Sequence, residues 1–533
     1  MITRRSFLKK SSAAAGIVGL GALHACNSSS LKLTGSLGGP NMSLGHKIRN
    51  VSISRPAEVS KEDVVIVGGG VAGLSAARWL KKEGTSFRLL ELETESGGNS
   101  RSGSNKLGRY PLGAHYLPIP SVRHSSLLTF LEECNVINGY QNGLPTFNEY
   151  HLCFDPKERL FVGHHWQEGL IPNDGISQTE RDQIRKFHDL MHYYRELVGS
   201  DGKFAFDIPI DDSSKDESLL QLDRITMDRF LSDHNLTTQP IRWYVNYCCS
   251  DDFGSTLEET SAWAGIHYFA SRKGKATNAG IEDVLTWPEG NCFLVDHLLK
   301  DISDRITPNS AVIGITPKDN VVEVDYFDAS AGIIKRIESK AVIVAVPTFV
   351  AKYLVRSKRD VDYSSFQYAP WMVANIIVDS WLVERRGEPL SWDNVIYGSS
   401  SLGYVLSHHQ EVGLASQQKT ITYYRALTGA DCAQSRKTAM DTTWESWRDS
   451  IFNDLRIAHP EMEHFAKQLD VWVWGHGMIR PSPKFIWGDT RKSAQQSIGN
   501  QIFFANSDLS GISVFEEAFE SGIKAATALM RSV

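Results

Sequence analysis

The feature that most restricts the fold lies between residues 63 and 91. Asp63-Val64-Val65-Ile66-Val67 is a short apolar run of strand type that stops at Gly68-Gly69-Gly70-Val71-Ala72-Gly73. A helical stretch follows from Leu74 to Lys82, punctuated by Gly84, and a second strand, Phe87-Arg88-Leu89-Leu90, ends at Glu91. The spacing assigns each glycine a task. Gly68 permits the tight turn, Gly70 lets backbone approach a pyrophosphate, and Gly73 lets the helix pack on the strand. Val71 and Ala72 lie within this cofactor-facing segment, and the helix after it offers free amides and a positive dipole end to phosphate oxygens. Glu91 stands at the end of the second strand, where a carboxylate accepts hydrogen bonds from a ribose. Strand, glycines, helix, strand and acid in this order predict a Rossmann-like, dinucleotide-binding α/β fold.

The residues that follow narrow the cofactor. Glu91-Leu92-Glu93-Thr94-Glu95-Ser96-Gly97-Gly98 resembles the flavin-containing amine oxidase superfamily, where an acid is followed by a Gly-Gly pair. The resemblance implies FAD in a domain of the glutathione-reductase-like type, held by Gly98 and its successors. Family members follow the pair with an Arg; here Asn99 takes that place and Arg101 lies two residues on. Leu112-Gly113-Ala114-His115 is similar to a segment that passes close to the flavin. Trp287-Pro288-Glu289-Gly290-Asn291 and Ala341-Val342-Ile343-Val344-Ala345-Val346-Pro347 resemble two later passes through the cofactor domain. Ile502 to Asp508, then Glu516-Glu517-Ala518-Phe519-Glu520-Ser521-Gly522, resembles the closing flavin motif of monoamine oxidases. By that resemblance Asp508 faces the ribityl-phosphate region. Phe515 opens a helix whose N-terminus lies against the isoalloxazine ring.

These segments are far apart in the chain, so the domains interleave. The FAD-binding domain is expected from 61–120, 281–350 and 496–533, and an α+β substrate domain from 121–280 and 351–495. The latter stretches are rich in aromatics, among them Trp243, Trp263, Trp371, Trp392, Trp472 and Trp474. Strands are expected at Met372 to Val378, Ile421 to Tyr424 and Val321 to Tyr326, where apolar or alternating residues run.

The resemblance implies an oxidase or dehydrogenase that takes a hydride from a small organic substrate, with oxygen or another electron acceptor. Many family members carry a Lys near the flavin on a substrate-domain strand. The strand expected to match, Trp371 to Val378, has none; Asn375 holds a water there instead, or is a structural strand residue. In Trp472-Val473-Trp474-Gly475-His476-Gly477-Met478-Ile479-Arg480, Arg480 is read as a clamp for a substrate carboxylate and His476 as an acid or base. The alternative is a packed aromatic strand followed by a surface Arg. Ser391 to Tyr397 is a further candidate wall. Val514 stands where monoamine oxidases have a cage aromatic, which leaves an amine substrate open. Two other functions stay in view: a desaturase or isomerase of an apolar substrate, and a non-catalytic flavin-binding protein of the envelope.

Thr3-Arg4-Arg5-Ser6-Phe7-Leu8-Lys9 matches the twin-arginine export pattern, and a Gly- and Ala-rich apolar run from Ala13 to Ala25 follows. That run is short of the roughly 20 apolar residues of a membrane span and reads as a signal segment, over 1–26. The twin-arginine translocase carries folded proteins, which fits a cofactor inserted before export to the periplasm. Leu23-His24-Ala25-Cys26 resembles a lipobox, with a lipid anchor at Cys26 and a flexible linker over 27–60, Ser- and Gly-rich as far as Ser43. The formal net charge of −6 and the absence of a basic stripe give no reason to expect nucleic-acid binding. Seven cysteines without CxxC or Cys/His spacing suggest neither a disulfide scaffold nor a metal site.

Overall fold

In the computed structural model, residues 33–50, 55–379, 386–409, 418–429 and 431–532 are described. The export pattern at Thr3 to Lys9, the apolar run to Ala25 and Cys26 lie outside them. The chain divides into two compact units, Met1–Thr34 and Gly35–Val533; all that follows concerns the second.

The glycine-rich segment seeds a seven-stranded sheet. The strand Glu58–Val67 is exposed at its start and buried over Val64 to Val67, where apolar residues face both layers. It pairs in parallel with Phe87–Leu90 on one side and with Ile333–Val344 on the other. The helix Val71–Lys82 makes the crossover between the first two, as parallel pairing requires. Ile333–Val344 is long enough to change partners. Its first part pairs antiparallel with Val322–Asp328, while Val342 to Val344 pair in parallel with Ile502–Phe504. The last strand therefore brings the C-terminus back to this sheet, separated from Glu58–Val67 by Ile333–Val344. Pro347, which cannot donate to a ladder, stands after the strand and caps the helix Thr348–Leu354.

The helix Phe515–Ser532 closes this layer by lying on Val71–Lys82. The contact is between small residues: a Cβ on Gly522 would sit 2.0 Å from Ser75 Oγ and 2.1 Å from the Ala72 carbonyl. Ser75 Oγ donates to the Phe519 carbonyl at 2.8 Å across the same seam. Close packing fixes the helix axis and so places its N-terminal end, Phe515 and Glu516.

A second, eight-stranded sheet is built from 158–168 and 368–479, with one edge strand, Thr34–Gly38, from before the first sheet. Its centre is Tyr368–Asp379, buried along nearly its whole length between Ala466–Ile479 and Gln418–Ala426. These strands contain the ones expected at Met372 to Val378 and Ile421 to Tyr424. Helices Gln178–Glu196, Gln239–Phe253 and Ala262–Ala270 form a separate apolar core with Phe187, Phe206, Trp263 and Ile486.

Two differences from the sequence expectations have plain physical causes. The Ser/Gly-rich stretch expected as a flexible tether as far as Ser43 holds the strand Thr34–Gly38 and a helical turn, Met42–Gly45. Its glycines serve close approach: a Cβ on Gly35 would meet the Leu469 carbonyl at 1.8 Å, and one on Gly38 the Trp472 ring at 2.7 Å. The expected domain boundary at 120 also shifts. Leu127, Leu131, Val136 and Phe147 pack in the core of the glycine-rich sheet, because the helix Ser125–Glu133 faces the two crossing helices.

Candidate active site

The first sheet ends in a backbone cradle. Gly68 turns the chain at φ +104°, a region that disfavours side chains, and a Cβ on Gly73 would lie 1.9 Å from the Gly68 carbonyl. Gly70 differs: a Cβ there would meet nothing within 4 Å. It caps the helix Val71–Lys82 without any side-chain bond, so the first-turn amides face open space. Gly70 also bridges to Gly97. The Glu91 carboxylate accepts from the amides of Gly69 at 2.5 Å and Glu93 at 2.8 Å. Burial pushes its pKa up while those two bonds pull it down.

Arg101 is buried beside this cradle. It reaches Glu93 at 3.4 Å, and its guanidinium lies 5.3 Å from the Trp472 ring and 5.8 Å from Trp474. Its Nε has no hydrogen-bond partner. Further along, Ala114 N donates to the Asn99 carbonyl and Asn291 N to the Ala114 carbonyl, both at 3.1 Å. Three segments singled out in the sequence thus meet at one place. A Cβ on Gly113 would lie 2.4 Å from the Asn99 carbonyl, which explains the glycine. Asn291 donates from Nδ2 to the Tyr116 carbonyl, yet its buried Oδ1 has no partner. An open Gly70, uncapped helix amides and two orphaned polar atoms fit a dinucleotide bound along this line.

A cavity of about 160 Å³ continues from there, lined by Gly113, His115, Trp371, Trp474, Phe515 and Glu516 among others. It shares His115, Tyr116, Asp251, Tyr268, Arg272 and Tyr424 with a second cavity of about 1390 Å³. The shared wall is aromatic. His115 stacks on Tyr424 with centroids 4.5 Å apart, and Trp392 lies 5.6 Å from His115 and 5.9 Å from Tyr116. Burial pushes the His115 imidazole down to about 4, so the ring is neutral at ordinary pH. Asp251 and Asp252 end the helix Gln239–Phe253 in both cavities' walls or beside them. Burial, then repulsion from Asp252, pushes Asp251 up to about 7. Burial raises Asp252 to about 6 against the pull of Arg272, which lies 4.0 Å away.

Of the residues expected to hold a cofactor, Gly68, Gly70, Val71, Ala72, Gly73, Glu91 and Gly98 form the cradle, with Arg101 beside it. Asn99, Gly113, Ala114, His115 and Phe515 line the smaller cavity. Asp508 is turned elsewhere. Its carboxylate accepts from Thr348 N at 2.8 Å and from Tyr368 Oη at 2.6 Å, bracing the helix Thr348–Leu354 rather than facing the cavity.

The three expected catalytic side chains lie outside both cavities. Asn375 is 1% exposed; it donates to the Pro111 carbonyl at 3.1 Å and accepts from Thr422 Oγ1 at 2.7 Å. Both groups of the amide have protein partners, so the side chain ties its strand to its neighbours. His476 stacks on Phe349 with centroids 3.8 Å apart, and burial drives its pKa to about 3. Arg480 is neither a clamp nor a surface residue: it is 5% exposed, ion-paired with Glu259, and donates to Ser255 Oγ at 3.1 Å. On Tyr368–Asp379 the cavity receives Trp371 and Val373, four and two residues before Asn375 and on the same face, so Asn375 misses the cavity by its place along the strand.

Tyr116, Asp251, Asp252, Arg272 and Tyr424 escaped sequence reasoning. The one available signal was Asp251-Asp252 at the end of a helix that buries Val245, Tyr247, Cys248, Cys249 and Phe253. Paired acids beside so apolar a face are costly without a task.

Residues 66–134 match the family of NAD(P)-binding Rossmann-like domains. A flavin-containing amine oxidase of Oncorhynchus mykiss is 24% identical over 291 residues, covering 54% of this chain and 50% of that protein. The flavin-containing amine oxidase B of Sus scrofa is 27% identical over 298 residues, covering 54% and 51%. The chain thus aligns with about half the length of these relatives. Among solved structures, a double mutant of putrescine oxidase superposes with a TM-score of 0.65 at 14% identity, over 89% of this chain and 100% of that one. What these likenesses share is architecture, and this chain has the α/β fold of the flavin-dependent amine oxidases.

Proposed function

We propose that the chain is an FAD-dependent oxidoreductase of amine-oxidase type that acts on a small amine. The observation that carries this reading is the continuity of the glycine cradle with an aromatic-walled cavity. The two are joined by Asn99, Gly113 and Asn291 and closed by the N-terminal end of Phe515–Ser532.

The first-turn amides after Gly70 would hold the pyrophosphate, Glu91 a ribose, and Arg101 and Asn291 would give their free atoms to the cofactor. FAD, when bound, supplies a two-electron acceptor for a hydride from the substrate carbon. The chain's own residues prepare the amine. Tyr116, Trp392 and Tyr424 exclude water and present ring faces to a nitrogen centre, as cations prefer. Neutral His115 can hydrogen-bond that nitrogen without adding a repelling charge. Asp251 and Asp252 draw the cation in from solvent. Carboxylates on this wall weigh against an apolar substrate of the desaturase or isomerase kind.

The same reading covers location. The twin-arginine pattern supports export in the folded state with cofactor in place, and Cys26 supports a lipid anchor on the periplasmic side.

Anaerobic mixing of the holoenzyme with separate panels of amines, amino acids and lipids tests the function. Loss of the flavin's visible absorbance with an amine is expected, and peroxide release on re-aeration would mark an oxidase. Bleaching by lipids alone would contradict it.

A further inference from the structure

Charge is unevenly spread over the chain. The formal net charge is −6, yet Asn27 to Ala57 holds Lys32, Lys47, Arg49 and Arg55 and no acid. Ala341 to Arg359 is likewise free of acids and holds Lys352, Arg356, Lys358 and Arg359. The fold joins the two stretches. Ile48 packs into the apolar core to which Ala351 and Leu354 belong. The Arg49 guanidinium lies 5.3 Å from the Tyr353 ring, and the Lys352 ammonium lies 4.8 Å from it. Lys47, Arg49, Lys352, Arg356 and Lys358 are all exposed, and among the described residues none of the five is in an ion pair. Lys47 sits over Phe327 of the neighbouring strand Val322–Asp328. The acids of that strand, Glu323, Asp325 and Asp328, are engaged by Arg336 and Lys335.

Two further observations mark this as one face. After burial, the charges of Arg436, Arg49, Lys352 and His46 push the half-buried His476 imidazole down. Cations from four separate parts of the chain thus act on a single side chain. Large apolar groups also stand open on the same stretches: Tyr353 is 45% exposed, Met42 44% and Leu37 42%. Apolar tips flanked by unpaired cations suit a headgroup layer, where aliphatic and aromatic groups dip in while the charges stay at the surface.

We propose that this face, Lys47, Arg49, Lys352, Arg356 and Lys358 with Tyr353, lies on the anionic headgroups of the membrane and orients the protein there. This rests on the lipid anchor read at Cys26. Cys26 stands eight residues before Thr34, and eight residues span at most about 28 Å. A domain of this size has a radius of gyration of about 23 Å. A tether so short holds the stretch that follows Thr34, and with it the basic face, against the bilayer. Each Lys or Arg near an anionic surface adds attraction that fades within a Debye length. The rest of the chain is net acidic and is repelled by the same surface. The anchor sets the distance, and the asymmetry of charge sets which side faces the lipid.

The test takes the exported, flavin-loaded Cys26→Ser variant, which can carry no lipid there, and measures its sedimentation with vesicles. The vesicles are phosphatidylcholine alone or phosphatidylcholine mixed with phosphatidylglycerol. Partition onto the anionic vesicles is expected to be at least about tenfold higher at low salt and to fall to the neutral value at about 1 M salt. Adding Lys47→Gln, Arg49→Gln and Lys352→Gln is expected to abolish the preference. Adding Lys275→Gln, Lys300→Gln and Lys484→Gln instead takes the same charge from exposed positions elsewhere and is expected to keep it. No preference for anionic vesicles, or equal loss in both triple variants, overturns the proposal. A dimer in solution that the first triple variant dissociates would assign the face to a second copy of the chain and overturn it as well. If that variant does not fold, the salt dependence decides. The anchor reading fails separately, through a Cys26→Ser protein that fractionates in cells as the wild type does.

Discussion

Glu517 stands in the first turn of the C-terminal helix, buried, with Oε1 accepting the Ile210 amide at 2.6 Å. Burial, opposed by that bond and reinforced by Asp211, pushes its carboxyl up to about 7 from 4.5. The sign follows from linkage. The folded chain holds this proton more tightly than the unfolded one, so the contribution is fully present below the unfolded pKa and is lost as pH rises toward about 7. The cost above that is on the order of 3 kcal/mol. Glu517→Gln keeps the acceptor and removes the charge. Its melting temperature should exceed the wild type's by several degrees at about pH 8 and by little at about pH 4, checked by melts across that range. A constant difference would assign the effect to packing. The same scale shows what reading the chain can and cannot reach. The glycines at 68, 70 and 73 act on atoms a few residues away, so their tasks are legible in spacing. Asn375, His476 and Arg480 take their roles from Pro111, Phe349 and Glu259, partners that only the folded chain brings near.

At the scale of elements, the glycine-rich turn separates folding from binding. Gly70→Ala places a methyl in open space, and its φ of −74° suits alanine. The variant should fold with an unchanged apo melting temperature but be purified with little flavin. Gly73→Ala drives a methyl into the Gly68 carbonyl, and should lower both melting temperature and soluble yield, by at least about 1–3 kcal/mol as overpacking does. Equal flavin loss with equal destabilisation in both would remove the distinction. Apolar runs located the buried parts of two strands, Asp63 to Val67 and Met372 to Val378, and did not reach the polar, exposed start of Glu58–Val67. Nor could such a pattern place the helix Ser125–Glu133, whose apolar face is compatible with either layer and is decided by Val71–Lys82 and Phe515–Ser532.

At the scale of the molecule, the segments of the two sheets alternate along the chain, and the glycine-rich layer is not complete until the C-terminal helix docks. Export of a folded chain suits such a topology. Replacing Arg4 and Arg5 by Lys is expected to leave loaded protein in the cytoplasm, and Cys26→Ser to move it from the membrane to the soluble periplasmic fraction. Fractionation with flavin fluorescence reads both; unchanged distribution in either variant would contradict that part. The outer cavity was not legible because its charged lining, Glu158, Asp251 and Asp393 as well as Lys157, Arg195 and Arg272, shares no motif and meets only through tertiary packing. The central claim is that the cradle and the cavity are two ends of one flavin site for amines. Its most direct measurement is the absorbance of natively purified protein, recorded anaerobically before and after adding small amines. A stoichiometric flavin spectrum that bleaches on addition is predicted; a colourless protein, or a flavin that no amine reduces, would contradict it.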